Sequence, residues 1–191
     1  MTAADRLTAA RIVLSPVFFA IFVASQVVGP AQPALLIALA VVFAVSELSD
    51  AFDGLLARAT GSVSDLGKVL DPFADSISRL TYFICFASTG IMPLWALVLV
   101  VYRDTGVAFA RLLAARQGRV MGARFTGKLK AWVYALAGIA GMARLWARGL
   151  LIPGGETVIL ITTSEWLFAA CGVVAAGSLI DYLLPVLCRK N

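Results

Sequence analysis

The sequence predicts an all-α integral membrane protein, a bundle of six transmembrane helices whose active site faces the cytoplasm. Three observations predict it. The mean hydropathy is +0.92, and 61% of the 191 residues are hydrophobic against 14% charged. A soluble domain of this length could not bury that much apolar surface, so lipid is expected to cover much of it. Six segments are each long enough to cross about 30 Å of hydrocarbon, which takes about 20 residues. Basic residues then gather at one set of segment ends, as the positive-inside rule expects of a multi-pass protein.

The spans are expected at about 7–28, 32–56, 69–90, 92–115, 128–148 and 163–187, within one domain covering residues 1–191. Breakers punctuate them: Gly29-Pro30 with Pro33, Gly90 with Pro93, and Pro153-Gly154-Gly155. The first segment has no small-residue cleavage site and outruns a signal-peptide core, so it reads as a retained helix. With the N-terminus inside, the inner ends carry Arg6, Arg58, Lys68, Arg111, Arg116, Arg119, Arg124, Lys128, Lys130, Arg189 and Lys190. The outer ends carry only Arg144 and Arg148. Both termini are therefore expected on the cytoplasmic side of the cell's inner membrane. Trp95, Trp146 and Trp166 would mark the outer interface and Trp132 the inner one. Arg11, Arg79, Arg103 and Asp104 are left at or within membrane depth.

Composition also excludes chemistry. There is no histidine, so His-based acid–base catalysis, Ser–His–Asp triads and His metal sites are ruled out. The net charge of +5 suits loops facing anionic headgroups. No exposed run interleaves aromatic and basic residues, so no nucleic-acid partner is expected. Cys85, Cys171 and Cys188 lie in or beside apolar segments without CxxC spacing and read as reduced, structural thiols.

Against this background the stretch from Asp50 to Asp75 stands apart. Acids are costly near hydrocarbon, and four of them, Asp50, Asp53, Asp71 and Asp75, lie at the inner ends of the second and third segments. Asp50 and Asp53 are three apart and Asp71 and Asp75 four apart, so each pair shares a helix face. A short turn from Ala59 to Leu66 lets the two faces approach. Packed carboxylates repel unless cations neutralise them, and hard divalent ions, Mg²⁺ or Mn²⁺, suit an all-oxygen set. Two such ions can clamp a diphosphate and stabilise both oxygens of an in-line displacement. Gly54 and Ala57, one turn apart, would leave a groove for a flat group, and Arg58 offers a planar fork for phosphate. Gly67 relieves crowding where the third helix begins, and Pro72 is expected in that helix's first turn.

The pattern Asp50-x2-Asp53-Gly54-x2-Ala57-Arg58-x8-Gly67-x3-Asp71-x3-Asp75 resembles the complete signature of the CDP-alcohol phosphotransferases. The resemblance implies that Asp50, Asp53, Asp71 and Asp75 bind two divalent metals and that Asp75 also serves as general base. It implies that Gly54, Ala57, Arg58 and Gly67, with Asp50 and Asp71, hold the cytidine diphosphate part of the donor. It further implies a homodimer, a state common in that family.

For the acceptor, Leu7-Thr8-x2-Arg11 resembles the start of bacterial members that use CDP-diacylglycerol. Leu70-Asp71-Pro72-x-Ala74-Asp75 resembles a run in the phosphatidylglycerophosphate-forming branch, with Ser76 where that branch has lysine. Arg103-Asp104 stands in place of Arg-Glu. Gly127-Lys128-x-Lys130 and Ser178-x2-Asp181-Tyr182 match further runs, with Ala131 and Leu179 as departures. The implied reaction moves a phosphatidyl group from CDP-diacylglycerol, a membrane lipid, to a small anionic alcohol, best sn-glycerol 3-phosphate. Positive charge suits such an acceptor: Arg103, costly inside a helix, is a site candidate, with Arg111, Arg124 and Lys128 beside it. The alternative for Arg103 is a local pair with Asp104 or Asp181. Arg116, Arg119 and Lys130 read better as solvated charges near anionic lipid, and Arg79 as a residue that orients Asp75. Within the class, an inositol phosphate or serine acceptor is the alternative. A cation-binding transporter is the alternative outside it, but that class expects acids near the midplane, broken helices and repeats.

Overall fold

The computed structural model describes the backbone of residues 3–29, 32–60, 65–116, 125–150 and 156–187. Among these residues the chain is all-helical: α1 (Ala3–Val28), α2 (Pro33–Thr60), α3 (Asp65–Ser88), α4 (Leu94–Arg116), α5 (Phe125–Gly149) and α6 (Val158–Leu187). Each expected segment is recovered as a helix, and most helices run past the apolar stretch that announces them. The turn expected over 59–66 shrinks accordingly, because α2 reaches Thr60 and α3 begins at Asp65. Pro72 is thereby corrected: it lies inside α3, not in the first turn, and removes one backbone donor from that helix. Helix α6 also begins early, at Val158, where Thr157 caps it by accepting from the Leu160 N–H at 3.2 Å.

Backbone packing divides the chain into two compact units, Met1–Cys85 with Leu145–Glu156, and Phe86–Arg144 with Thr157–Asn191. In the first, α1 packs along α2. The Tyr82 ring meets Phe18 edge-on at 4.6 Å and Phe43 at 5.1 Å. Polar contacts run beside this aromatic core: the Ser15 and Ser78 hydroxyls are 2.9 Å apart, and Trp146 Nε1 donates to the Leu36 carbonyl at 3.0 Å.

In the second unit α4 packs against α6. Small residues let the backbones close up, as membrane helices require. A Cβ at Gly106 would lie 2.5 Å from Leu179 Cδ1, and one at Gly172 would lie 2.6 Å from the Trp95 ring. At the C-terminus of α3 the chain turns through Gly90 (φ 71°), a left-handed conformation that glycine adopts without strain. Ile91 N–H donates back to the Phe86 carbonyl at 2.8 Å, satisfying a helix-end acceptor. Arg144 then fastens this turn, donating to the Ile91 carbonyl at 3.3 Å and to Ser164 Oγ at 3.0 Å.

Three helices are long and apolar enough to cross a membrane, over Thr8–Val28, Pro33–Asp50 and Val158–Leu184. In the other three, Arg79, Arg103, Asp104, Lys130 and Arg144 are buried, whereas Arg116 and Lys128 are exposed. The same helices expose Ile84, Tyr102, Phe109, Leu112, Trp132, Leu136 and Ile139. Charge inside and apolar side chains outside is the reverse of a water-soluble fold and what a hydrocarbon solvent favours.

Candidate active site

Asp50 lies ten residues before the end of α2, and Asp71 and Asp75 lie six and ten residues after the start of α3. Asp50 closes the apolar stretch of α2, and Asp71 and Asp75 follow on one face of α3, one turn apart. Their side chains are partly open, at 40%, 49% and 28% exposure. Behind them lie two arginines that are almost wholly covered, Arg11 at 2% and Arg79 at 5%.

These arginines tie the acids together. Arg11 Nη1 donates to Asp50 Oδ1, and its Nη2 lies 3.9 Å from Asp71 Oδ1. Arg79 Nε donates to Asp75 Oδ1 at 2.5 Å. Its Nη2 reaches Asp50 Oδ2 at 3.5 Å and Glu47 Oε2 at 3.9 Å. Thr8 completes the set by donating its hydroxyl to Asp71 Oδ1 at 2.5 Å. Asp50 is thus shared by both guanidiniums, and each guanidinium also reaches an acid of α3. The expected approach of the two acid faces is observed for these three carboxylates. Arg79 orients Asp75, as expected.

Asp53, Gly54, Ala57, Arg58 and Gly67 fall on helical backbone, but their side chains lie outside the described residues, as does Arg124 altogether. Among the described residues no group of three acid or thiol ligands is arranged to hold a metal ion. The donor set itself fits a hard divalent ion: every candidate ligand is a carboxylate oxygen, and those described are partly open. Cys85 and Cys171 are buried thiols outside any disulfide, as expected, and Cys188 lies outside the described residues.

The second unit holds a separate polar cluster. Arg103 Nη1 donates to Asp104 Oδ1 at 2.8 Å, and Lys130 Nζ reaches the same oxygen at 2.9 Å. Arg103 also donates to Ser178 Oγ through Nε and Nη2, both at 3.3 Å. Arg103 and Arg111 stand over the Tyr182 ring, at 5.9 and 5.8 Å from its centroid. Thr126 donates to Asp181 Oδ2 at 2.8 Å. Arg103 therefore has the local Asp104 partner that the sequence allowed for. Lys128 is exposed. Lys130 is a correction: it is not a solvated charge but a buried one, because Asp104 supplies its counter-ion and Tyr134 a ring 4.8 Å away. Asp104 Oδ2 and Arg111 Nε are buried with no hydrogen-bond partner among the described residues.

Sequence reasoning left Thr8, Arg11 and Glu47 outside the site. A signal for Arg11 was present, since a lone arginine at membrane depth calls for a buried partner. Thr8 stands with Arg11 in the Leu7-Thr8-x2-Arg11 run, whereas for Glu47 no local pattern announces the contact.

Known proteins resemble this chain over the same region. A family model described as CDP-alcohol phosphatidyltransferase matches residues 1–160. The CDP-diacylglycerol–glycerol-3-phosphate 3-phosphatidyltransferase of Treponema pallidum (strain Nichols) is 37% identical over 140 residues, which is 70% of this chain and 65% of that protein. The protein of the same name from Bacillus subtilis (strain 168) is 31% identical over 139 residues, 70% of this chain and 72% of its own length. A protein of Mycobacterium tuberculosis (strain ATCC 25618 / H37Rv), called a probable phosphatidylglycerophosphate synthase, is 38% identical over 135 residues, 70% of this chain and 62% of that one. The chain thus spans a little under two thirds of the treponemal and mycobacterial proteins.

Proposed function

The chain belongs to the CDP-alcohol phosphatidyltransferase family, and from that premise we propose that it transfers the phosphatidyl group of CDP-diacylglycerol to sn-glycerol 3-phosphate. The products are phosphatidylglycerophosphate and CMP. One observation carries the reading: Asp50 of α2 and Asp71 and Asp75 of α3 are drawn together through the shared arginines Arg11 and Arg79.

Asp50, Asp53, Asp71 and Asp75 would hold two Mg²⁺ or Mn²⁺ ions. Such ions supply Lewis-acid polarisation of phosphoryl oxygens and charge neutralisation on the leaving diphosphate. Gly54, Ala57, Arg58 and Gly67, with Asp50 and Asp71, hold the cytidine diphosphate part of the donor. Asp75, directed by Arg79, takes the proton from the acceptor hydroxyl. The acceptor oxygen then bonds to the phosphorus that carries the diacylglycerol, the phosphoanhydride bond breaks, and CMP leaves.

Arg103, Arg111, Arg124 and Lys128 bind the acceptor. Two of the five buried polar atoms without a hydrogen-bond partner among the described residues support this assignment. Arg111 Nε is a charged donor awaiting an anion, and Asp104 Oδ2 an acceptor awaiting a hydroxyl; a phosphorylated alcohol offers both. Lys130 supports the site indirectly, through its shared bond to Asp104.

All six helices cross the membrane in this reading, with both termini and the acids on the cytoplasmic side, and the enzyme works as a homodimer. The burial of Arg79, Arg103, Asp104, Lys130 and Arg144 on α3, α4 and α5 supports the six-span arrangement.

The test uses the purified protein with CDP-diacylglycerol and Mg²⁺. CMP release is expected only when an acceptor is added, and among glycerol 3-phosphate, inositol phosphate, serine and choline the first should give the dominant lipid product. Preference for serine or inositol phosphate would displace the acceptor assignment. Full activity in Asp75→Asn would remove the general-base role.

A further inference from the structure

Two arginines under a metal-binding acid cluster pose a question that the reaction alone does not answer. A cation beside carboxylates weakens their hold on a metal ion, yet Arg11 and Arg79 are among the best-buried side chains of their helices. Their position is fixed by more than the acids. On α1, Thr8, Arg11 and Ser15 share one face. Thr8 bonds to Asp71 and Ser15 to Ser78, so the arginine between them is seated by contacts on both sides. On α3, Arg79 follows Asp75 by one turn and lies next to Ser78. The acids in front remain partly open while the arginines behind do not, so the two guanidiniums form a cationic floor under the carboxylates.

We propose that Arg11 and Arg79 are positioning residues: built-in counter-ions that hold the acids together without metal and keep intrinsic metal affinity low. Divalent ions then bind firmly only when the donor's diphosphate adds negative charge above the site. The physical reason is charge balance. Two fixed cations cancel part of the carboxylates' charge, so two added divalent ions leave an excess of positive charge. A diphosphate offsets that excess, and metal and donor binding become mutually reinforcing. This proposal rests on the metal-and-donor reading above.

The test measures Mn²⁺ binding by the electron paramagnetic resonance of the free ion, with and without CDP, on purified protein in detergent. The wild type is expected to bind Mn²⁺ weakly alone and at least tenfold more tightly with saturating CDP. In Arg11→Met, Mn²⁺ alone should bind about tenfold more tightly, the order expected for removing one nearby unit charge in a partly screened site. The gain on adding CDP should shrink correspondingly. Arg11→Lys keeps the charge and should stay within about threefold of wild type. Unchanged or weaker Mn²⁺ binding in Arg11→Met, or identical behaviour of the Lys and Met variants, overturns the proposal.

Metal-free wild type should unfold within a few degrees of the loaded protein. If Arg11→Met folds only with Mn²⁺ present, the metal has replaced the missing counter-ion, as proposed. If both Arg11→Met and Arg11→Gln fail to fold even with Mn²⁺, the counter-ion role is wrong. A wild type that binds neither Mn²⁺ nor CDP would instead sink the underlying metal-and-donor reading, so the two failures are distinguishable.

Discussion

Ser15 on α1 and Ser78 on α3 hydrogen-bond at 2.9 Å, and the 63 residues that separate them also separate Thr8 from Asp71. Two contacts with one offset mean that α1 and α3 run parallel and in register in this region. Chain direction thus brings the beginning of α1, with Thr8 and Arg11, to the beginning of α3, with its two acids.

Thr8 anchors that register at the acid end. In Thr8→Val the shape is kept and only the hydroxyl to Asp71 is lost. A net hydrogen bond of this kind is worth about 1 kcal/mol, which thermal unfolding in detergent should register as a fall of a few degrees. CMP release should drop severalfold, because Asp71 loses one of the groups that aim it. Unchanged activity would show that Asp71 needs no such support.

The buried charges Arg103, Asp104 and Lys130 carry an ordering that can be checked. Asp104 is paired with both Arg103 and Lys130, so Asp104→Leu leaves two buried like charges near each other. A cost of about 3–5 kcal/mol is expected for such an uncompensated site. Lys130→Met leaves the Arg103–Asp104 pair intact and should cost clearly less. Denaturation of the two variants side by side decides it; a Lys130→Met variant that is the less stable would refute the charge argument.

Close packing of α4 on α6 predicts a paired effect. Gly106→Ala places a methyl group against Leu179 Cδ1, the end of a flexible side chain, so the cost is expected at the low end of the overpacking range, about 1 kcal/mol. Leu179→Ala in the same chain should recover most of that loss. The two stability changes would be non-additive, as expected for residues in direct contact, and a simple sum would show that the clash is absorbed elsewhere.

Cys85 and Cys171 are both buried and have no part in the proposed chemistry. Folded protein in detergent should leave both unmodified by a water-soluble maleimide over minutes, read by mass spectrometry of the labelled peptides, while the unfolded chain labels quickly. Cys85→Ser with Cys171→Ser should retain activity near wild type.

All six helices were legible, because runs of about 20 apolar residues have few other uses. Their ends were less so. Hydropathy marks where a helix becomes greasy, not where backbone hydrogen bonding starts, and so the turn expected over 59–66 takes in Ala59 and Thr60, which belong to α2, and Asp65 and Leu66, which belong to α3. Within the site, the local signal was the spacing of Asp50, Asp71 and Asp75. What spacing could not supply was the company they keep. Arg11 lies 39 residues from Asp50 and Thr8 lies 63 from Asp71, and no periodicity links positions so far apart. Lys130 shows the same limit: beside basic neighbours it looks solvated, and only the approach of Asp104 in space reverses that.

The outward face of α2 has a further consequence. Ile37, Val41, Val45 and Leu48 succeed one another at intervals of one turn, all exposed. Aliphatic chains of lipid do not distinguish valine from isoleucine or leucine, so this stripe carries almost no information about which helix lies where. The pairing rules must be written on the opposite faces, in a handful of hydroxyls, glycines and compensated charges. A chain of this kind can be rewritten along its lipid-facing stripes with little effect, whereas moving the inward Ser15 by a single position would remove a hydrogen bond that ties α1 to α3.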